Sequence, residues 1–87
     1  MIESKFREYL IKTGHTQKSI DSRVSRLKKV EKLFNFNIDS IIYNKNMVVS
    51  VLIELKDKSL DSKNENLSNT IRAYYTCMTN DSIGKIF

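Results

Sequence analysis

The sequence predicts an all-α domain, a small orthogonal bundle of four helices. Proline is absent from the 87 residues and glycine occurs only at positions 14 and 84, which leaves too little turn chemistry for a β-rich domain. Four segments instead repeat apolar residues every three or four positions, the spacing of one helical face. A chain this short forms one domain at most. We assign residues 1–80 to that domain and residues 81–87 to a tail or the start of a linker.

The first helix is predicted from about residue 2 to residue 12. Phe6, Tyr9 and Leu10 recur at three- and four-residue spacing and mark its buried side. Gly14 lies just beyond, at the position where a residue in the left-handed conformation commonly ends a helix.

The second helix is predicted from Gln17 to Phe34, with the Thr16 hydroxyl as its N-cap. Its continuous apolar stripe consists of Ile20, Val24, Leu27, Val30 and Phe34. At about 100° per residue, the opposite half of the cylinder carries Lys18, Ser22, Ser25, Arg26, Lys29 and Lys32. These six residues are called the basic face below.

A helical turn at Ser40–Tyr43 is expected to lead into the third helix, from Asn46 to Lys58, with Asn46 as its cap. Its predicted buried side consists of Val48, Val49, Leu52, Ile53 and Leu55. The run from residue 48 to residue 53 also fits a strand because it is rich in β-branched residues. The length of the segment and the lack of a partner strand favour the helix.

The fourth helix is predicted from Leu67 to Thr79, after a polar loop, with Asn66 or Ser68 as its cap. Its apolar stripe consists of Leu67, Ile71, Tyr74, Tyr75 and Met78. Stacking of the two tyrosines on nucleic-acid bases is the alternative to their packing in the core. Arg72 beside this stripe has two interpretations, a phosphate contact or an ion pair with an acid such as Asp39 or Glu31.

Positive charge is concentrated in the first half of the chain. Residues 1–43 contain nine basic and five acidic residues, a net charge of +4, whereas residues 44–87 contain six and five, a net charge of +1. Lys and Arg neutralise phosphates, and small hydroxyls such as those of Ser22 and Ser25 donate to phosphate oxygens. The helix N-terminus at Thr16–Ser19 adds backbone N–H groups and a positive dipole end. The basic face therefore indicates duplex DNA as a partner, and a solvated helix surface is the alternative.

No catalytic or metal-binding pattern is evident. His15 is the only histidine and falls in a loop, where solvation or helix capping is its expected role. Cys77 is the only cysteine, so it forms no disulfide framework and is expected to behave as a small core or boundary residue. We expect no enzymatic activity from this chain alone, and no cofactor or metal.

The sequence also predicts where in the cell the protein is located. No apolar stretch approaches the ~18–20 residues that cross a membrane. Charged residues at positions 3, 5, 7 and 8 interrupt any apolar core of a signal peptide. A cytoplasmic protein without membrane contact is therefore expected.

Two short patterns resemble the N-terminal core-binding (SAM-like) domain of the tyrosine recombinases, the phage integrase family. The first opens the second helix with Thr16, Ser19, Ile20 and Leu27. The second lies in the fourth helix and consists of Ser68, Ile71, Arg72, Tyr74 and Tyr75. The resemblance covers about residues 3–80, and its elements are caps and apolar spacings.

The resemblance implies a SAM-like fold that forms one half of a clamp around duplex DNA. By position it implicates Lys18, Ser22, Ser25, Arg26 and Lys29 of the second helix. It also implicates Asn66 and Asn69 of the fourth helix and Lys63 of the preceding loop. Catalysis of DNA integration and recombination in that family belongs to a separate domain, so no tyrosine here is assigned as a nucleophile. The fourth helix departs from the pattern because Arg72 is its one positively charged residue.

A second hypothesis is a small protein-interaction or inhibitor protein of a mobile element on the same scaffold. It rests on the tail, where Ile83, Ile86 and Phe87 look like exposed apolar residues available to a protein partner or to self-association. Docking of the tail on the core, or the start of a further domain, is the alternative.

Overall fold

Four α-helices follow one another along the chain in the structure, a computed structural model that describes residues 1–84. They are α1 (Glu3–Lys12), α2 (Gln17–Phe34), α3 (Lys45–Asp57) and α4 (Asn66–Thr79). A short 3₁₀ helix over Ile38–Ser40 precedes α3, and residues 1–84 contain no strand. The prediction of a small all-α bundle of four helices is confirmed.

The ends of the first two helices follow the predicted chemistry. Gly14 has a φ of 87°, the left-handed conformation expected where α1 ends. The Thr16 hydroxyl accepts a hydrogen bond of 3.2 Å from the Ser19 N–H and caps α2. Asn35, with a φ of 52°, ends α2 in the same left-handed conformation. The predicted bounds of α2 are therefore confirmed at both ends.

One apolar core lies between the helices. α2 packs against α4 and α1, and α4 also contacts α1 and α3. At the centre, the rings of Phe6 and Tyr74 meet edge to face, with centroids 5.2 Å apart and planes at 83°. Tyr74 and Tyr75 are both buried, so core packing, and not base stacking, is their role in this structure.

α3 begins one residue earlier than predicted. The side chain of Asn44, and not that of Asn46, caps it by accepting the Met47 N–H at 3.3 Å. Its helical conformation excludes the strand alternative for residues 48–53. Of the predicted buried side, Val48, Leu52 and Leu55 are buried, whereas the other two residues are only partly buried.

Of the two alternatives for the tail, exposure is wrong for Ile83, and docking on the core is confirmed for this residue. Its side chain is 7% exposed and belongs to the core. After α4 the chain runs beside α3, where an Asp81 carboxylate oxygen lies 3.8 Å from the Lys45 ammonium. Burial of an isoleucine side chain contributes roughly 1.5–3 kcal/mol, which favours this docked path over an extended one. Ile86 and Phe87 lie outside the described residues.

Candidate nucleic-acid interface

The basic face lies on the solvent side of α2. Lys18, Ser25, Lys29 and Lys32 are exposed, and Ser22 and Arg26 are partly exposed. The opposite side of the helix buries Ile20, Val24, Leu27 and Val30. From Lys18 to Lys32 the helix rises by about 21 Å, the length of about six base pairs of duplex DNA.

The four cations of the basic face form no salt bridge within residues 1–84. The neighbouring acids are instead bound by other side chains. Asp21 accepts hydrogen bonds from Arg7 at 2.8 Å and Gln17 at 3.0 Å. Glu3 contacts Arg7 at 2.9 Å and Lys28 at 3.0 Å. The basic face therefore keeps its positive charge without an internal partner.

The same ion pairs affect the acids themselves. The hydrogen bond from Arg7 holds the pKa of Asp21 below its ordinary value. Hydrogen bonds from Arg7 and Lys28 lower the pKa of Glu3 in the same way. Both carboxylates stay ionised and paired at neutral pH. Asp21 lines one depression of α2 together with Lys18, Ser22, Ser25 and Arg26, where its bonds to Arg7 and Gln17 keep its carboxylate engaged.

A shallow depression of ≈ 170 Å³ joins α2 to the start of α4. Arg26 and Lys29 lie on one side of it, and Asn66 lies on the other. Its remaining lining residues are Leu60, Asp61, Ser62 and Leu67. Of the three residues predicted outside α2, Asn66 is thus brought to the basic face. The loop residues of this depression were not predicted, because an irregular segment has no periodicity that would orient its side chains.

The other two predicted residues lie elsewhere. The Asn69 side chain donates to the Asn64 carbonyl at 3.3 Å and accepts from the Arg72 guanidinium at 3.1 Å. Its amide is therefore already hydrogen-bonded on both sides. Lys63 is exposed in a separate depression, lined also by Leu55 and Ser68, between the ends of α3 and α4. Neither residue lines the depression that joins α2 to α4.

Arg72 forms neither of its predicted contacts with an acid within residues 1–84. Its hydrogen-bond partner is Asn69. Glu31 and Asp39 are instead occupied by the amino group of Met1, at 2.9 and 3.1 Å.

The N-terminus of α4 is filled by a carboxylate from the preceding loop. Asp61 accepts hydrogen bonds from the N–H groups of Leu67 at 2.8 Å and Ser68 at 2.9 Å, and from the Ser68 hydroxyl at 2.7 Å. Partial burial alone would raise the pKa of Asp61, but these hydrogen bonds and one from the Ser62 N–H lower it overall. Asp61 thus replaces the predicted caps Asn66 and Ser68, and it occupies N–H groups that could otherwise bind phosphate.

Replacing Asp61 with alanine is expected to lower the free energy of unfolding by about 1–2 kcal/mol at pH 7, the usual cost of losing an N-cap. Because the pKa of Asp61 is lowered in the folded state, this contribution exists above the ordinary value of 3.8 and is lost as the pH falls through the folded value. Urea unfolding at neutral and acidic pH measures both effects. Asp57→Ala is the control, because Asp57 is the last residue of α3 and caps no helix N-terminus. We expect it to change the free energy of unfolding by less than about 0.5 kcal/mol. Equal effects of the two substitutions at pH 7 would refute this role for Asp61.

His15 and Cys77, the two residues weighed for a catalytic or metal-binding role, both lie in structural positions. The His15 ring nitrogen Nδ1 lies 3.1 Å from the Thr13 hydroxyl and 3.2 Å from the Leu10 carbonyl, at the end of α1. Cys77 is partly buried, and burial raises the pKa of its thiol.

No helix within residues 1–84 has both the length and the apolar character needed to cross a membrane. Comparisons with protein-family models, with curated proteins and with solved structures gave no significant match.

Proposed function

We propose that this domain binds duplex DNA through the basic face of α2, in the manner of one half of a DNA clamp. The observation that carries the proposal is a row of four cations along about 21 Å of one helix, none of them paired with an acid in residues 1–84. Unpaired cations on a rigid element are what phosphate neutralisation and counterion release require. The resemblance to core-binding domains of tyrosine recombinases supports the same proposal.

Phosphate contacts dominate in this mode of binding. Ser22 and Ser25 place hydroxyl groups between the cations, where they can donate to phosphate oxygens without holding the helix away from the duplex. Asn66 adds one amide beside Arg26 and Lys29. Base readout is limited, because the Asn69 amide is already engaged by Arg72 and the Asn64 carbonyl. We assign no catalytic step to this chain.

The alternative, a protein-interaction module, relied on exposed apolar residues in the tail, and Ile83 is not one of them. That side chain is buried in the core and is not available to a partner.

The salt dependence of duplex binding tests the proposal. With four phosphates neutralised, log Kd is expected to rise with log salt concentration with a slope of about 3.6, so affinity falls about 150-fold between 50 and 200 mM salt. Fluorescence anisotropy with a labelled duplex of about 20 base pairs measures this slope. Two duplexes of unrelated sequence are expected to bind with similar affinity. An affinity that does not change with salt would refute the proposal.

A further inference from the structure

The amino group of Met1 is seated in a polar pocket between the end of α2 and the 3₁₀ helix. Its nitrogen lies 2.9 Å from Glu31 Oε2, 2.9 Å from Asn37 Oδ1 and 3.1 Å from Asp39 Oδ2. The Met1 side chain is 3% exposed, and the side chains of the two acids are 20% and 26% exposed. Glu31, Asn37 and Asp39 are called the ammonium pocket below.

The pocket matches a primary ammonium group in both number and charge of its contacts. An ammonium group has three N–H donors, and the pocket offers three acceptor oxygens at 2.9–3.1 Å. Two of these oxygens belong to carboxylates. A peptide or acyl amide nitrogen at the same place would have a single N–H and no charge, so both carboxylates would lose their counterion.

Each acceptor side chain is held by a second hydrogen bond. The Ile38 N–H donates to Glu31 Oε2 at 2.9 Å, and the Asp39 N–H donates to Asn37 Oδ1 at 3.0 Å. The Tyr74 hydroxyl of α4 donates to Asp39 Oδ1 and accepts the N–H of residue 2 at 2.9 Å. The acceptors are therefore oriented towards the amine by bonds from two segments of the chain, the 3₁₀ helix and α4.

We propose that the ammonium pocket is a binding site specific for an unmodified primary amine, and that Nα-acylation of Met1 breaks its contacts. An acyl group replaces one N–H with an N–C bond, removes the positive charge and adds bulk at a partly buried nitrogen. A residue placed before Met1 has the same effect on this nitrogen. The consequence is local opening at the junction of α1, α2 and α4. This proposal goes beyond DNA binding and does not depend on it.

The ionisation of the amine agrees with this geometry. Burial lowers the pKa of the Met1 amine, but hydrogen bonds from it to Glu31 and Asp39 outweigh that effect, so the pKa lies above its ordinary value of 8.0. Within residues 1–84, the titratable groups in these contacts are Glu31 of α2, Asp39 of the 3₁₀ helix and Tyr74 of α4. The stabilisation is therefore fully present below pH 8.0 and is lost as the pH rises through the folded value.

Thermal unfolding of two forms of the full chain tests the proposal, one with the free Met1 amine and one made by chemical synthesis with an acetyl group on it. At slightly acidic pH, acetylation is expected to lower Tm by about 5–10 °C, as for the loss of one partner of a partly buried ion pair in a domain of this size. In the Glu31→Gln, Asp39→Asn double variant, the same acetylation is expected to lower Tm by no more than about 2 °C. Equal Tm values of the free and acetylated forms of the wild-type chain would overturn the proposal. An equally large shift in the double variant would also overturn it, because the effect would then arise outside the pocket.

A second measurement needs no variant. The rate at which an amine-reactive ester acylates the folded chain at Met1 is compared with the rate for an unstructured peptide of residues 1–10. The seated amine is expected to react at least about tenfold more slowly, because it must first leave the pocket at a cost of about 1.4 kcal/mol or more. Equal rates would overturn the proposal.

Discussion

Replacing Phe6 with alanine is expected to lower the free energy of unfolding by about 3–5 kcal/mol, the largest effect on stability that we expect from one substitution. Phe6 is fully buried and meets the Tyr74 ring edge to face at 5.2 Å. Its removal leaves a cavity between α1 and α4 and loses the aromatic contact, which is worth about 0.5–1.5 kcal/mol in such pairs. Since the total stability of a domain of this length is about 4–13 kcal/mol, much of the margin disappears.

Urea unfolding followed by circular dichroism measures this loss. Tyr43→Ala is the matched control, because it also removes an aromatic ring but from a side chain that is 68% exposed. We expect the control to change the free energy of unfolding by less than about 0.5 kcal/mol. A loss below about 1 kcal/mol for Phe6→Ala would contradict the central position assigned to this ring.

Replacing Arg26 and Lys29 together with alanine is expected to weaken duplex binding at least tenfold at about 100 mM salt and to reduce the salt slope by about 1.8. Both residues belong to the basic face and line the depression that reaches Asn66. Neither forms a salt bridge within residues 1–84, so the substitution removes charge without releasing a buried acid. We expect little change in the free energy of unfolding.

The matched control removes two positive charges away from the basic face. Lys45 and Lys58 lie at the two ends of α3, where they contact Asp81 and Glu54. Their joint replacement with alanine lowers the net charge of the chain by the same amount. If α2 makes the phosphate contacts, this control variant is expected to keep most of its affinity for duplex DNA.

The bounds of α2 could be predicted because local chemistry and packing agree there. Thr16 provides a cap, and the apolar stripe from Ile20 to Phe34 spans about four turns without interruption. The basic face followed from the same periodicity, since the residues opposite a buried stripe face solvent. The predicted start of α3 was one residue too late, because the sequence offers two asparagines, Asn44 and Asn46, with the same capacity to cap a helix.

The remaining features depend on contacts between residues far apart in the sequence. Asp61 caps α4 from a loop, at a spacing that no capping pattern contains. Ile83 is buried because the chain folds back after α4, which periodicity within a short tail does not indicate. The ammonium pocket joins Met1 to residues 30 to 38 positions away and could be found only in three dimensions.

The most direct test of the proposed function is the ratio of two dissociation constants for one duplex, measured side by side at about 100 mM salt. One belongs to the variant without Arg26 and Lys29, and the other to the variant without Lys45 and Lys58. DNA binding by the basic face predicts that the first constant exceeds the second by about tenfold or more, while both variants remain folded. Equal constants would contradict it, because binding would then follow net charge and not the surface of α2.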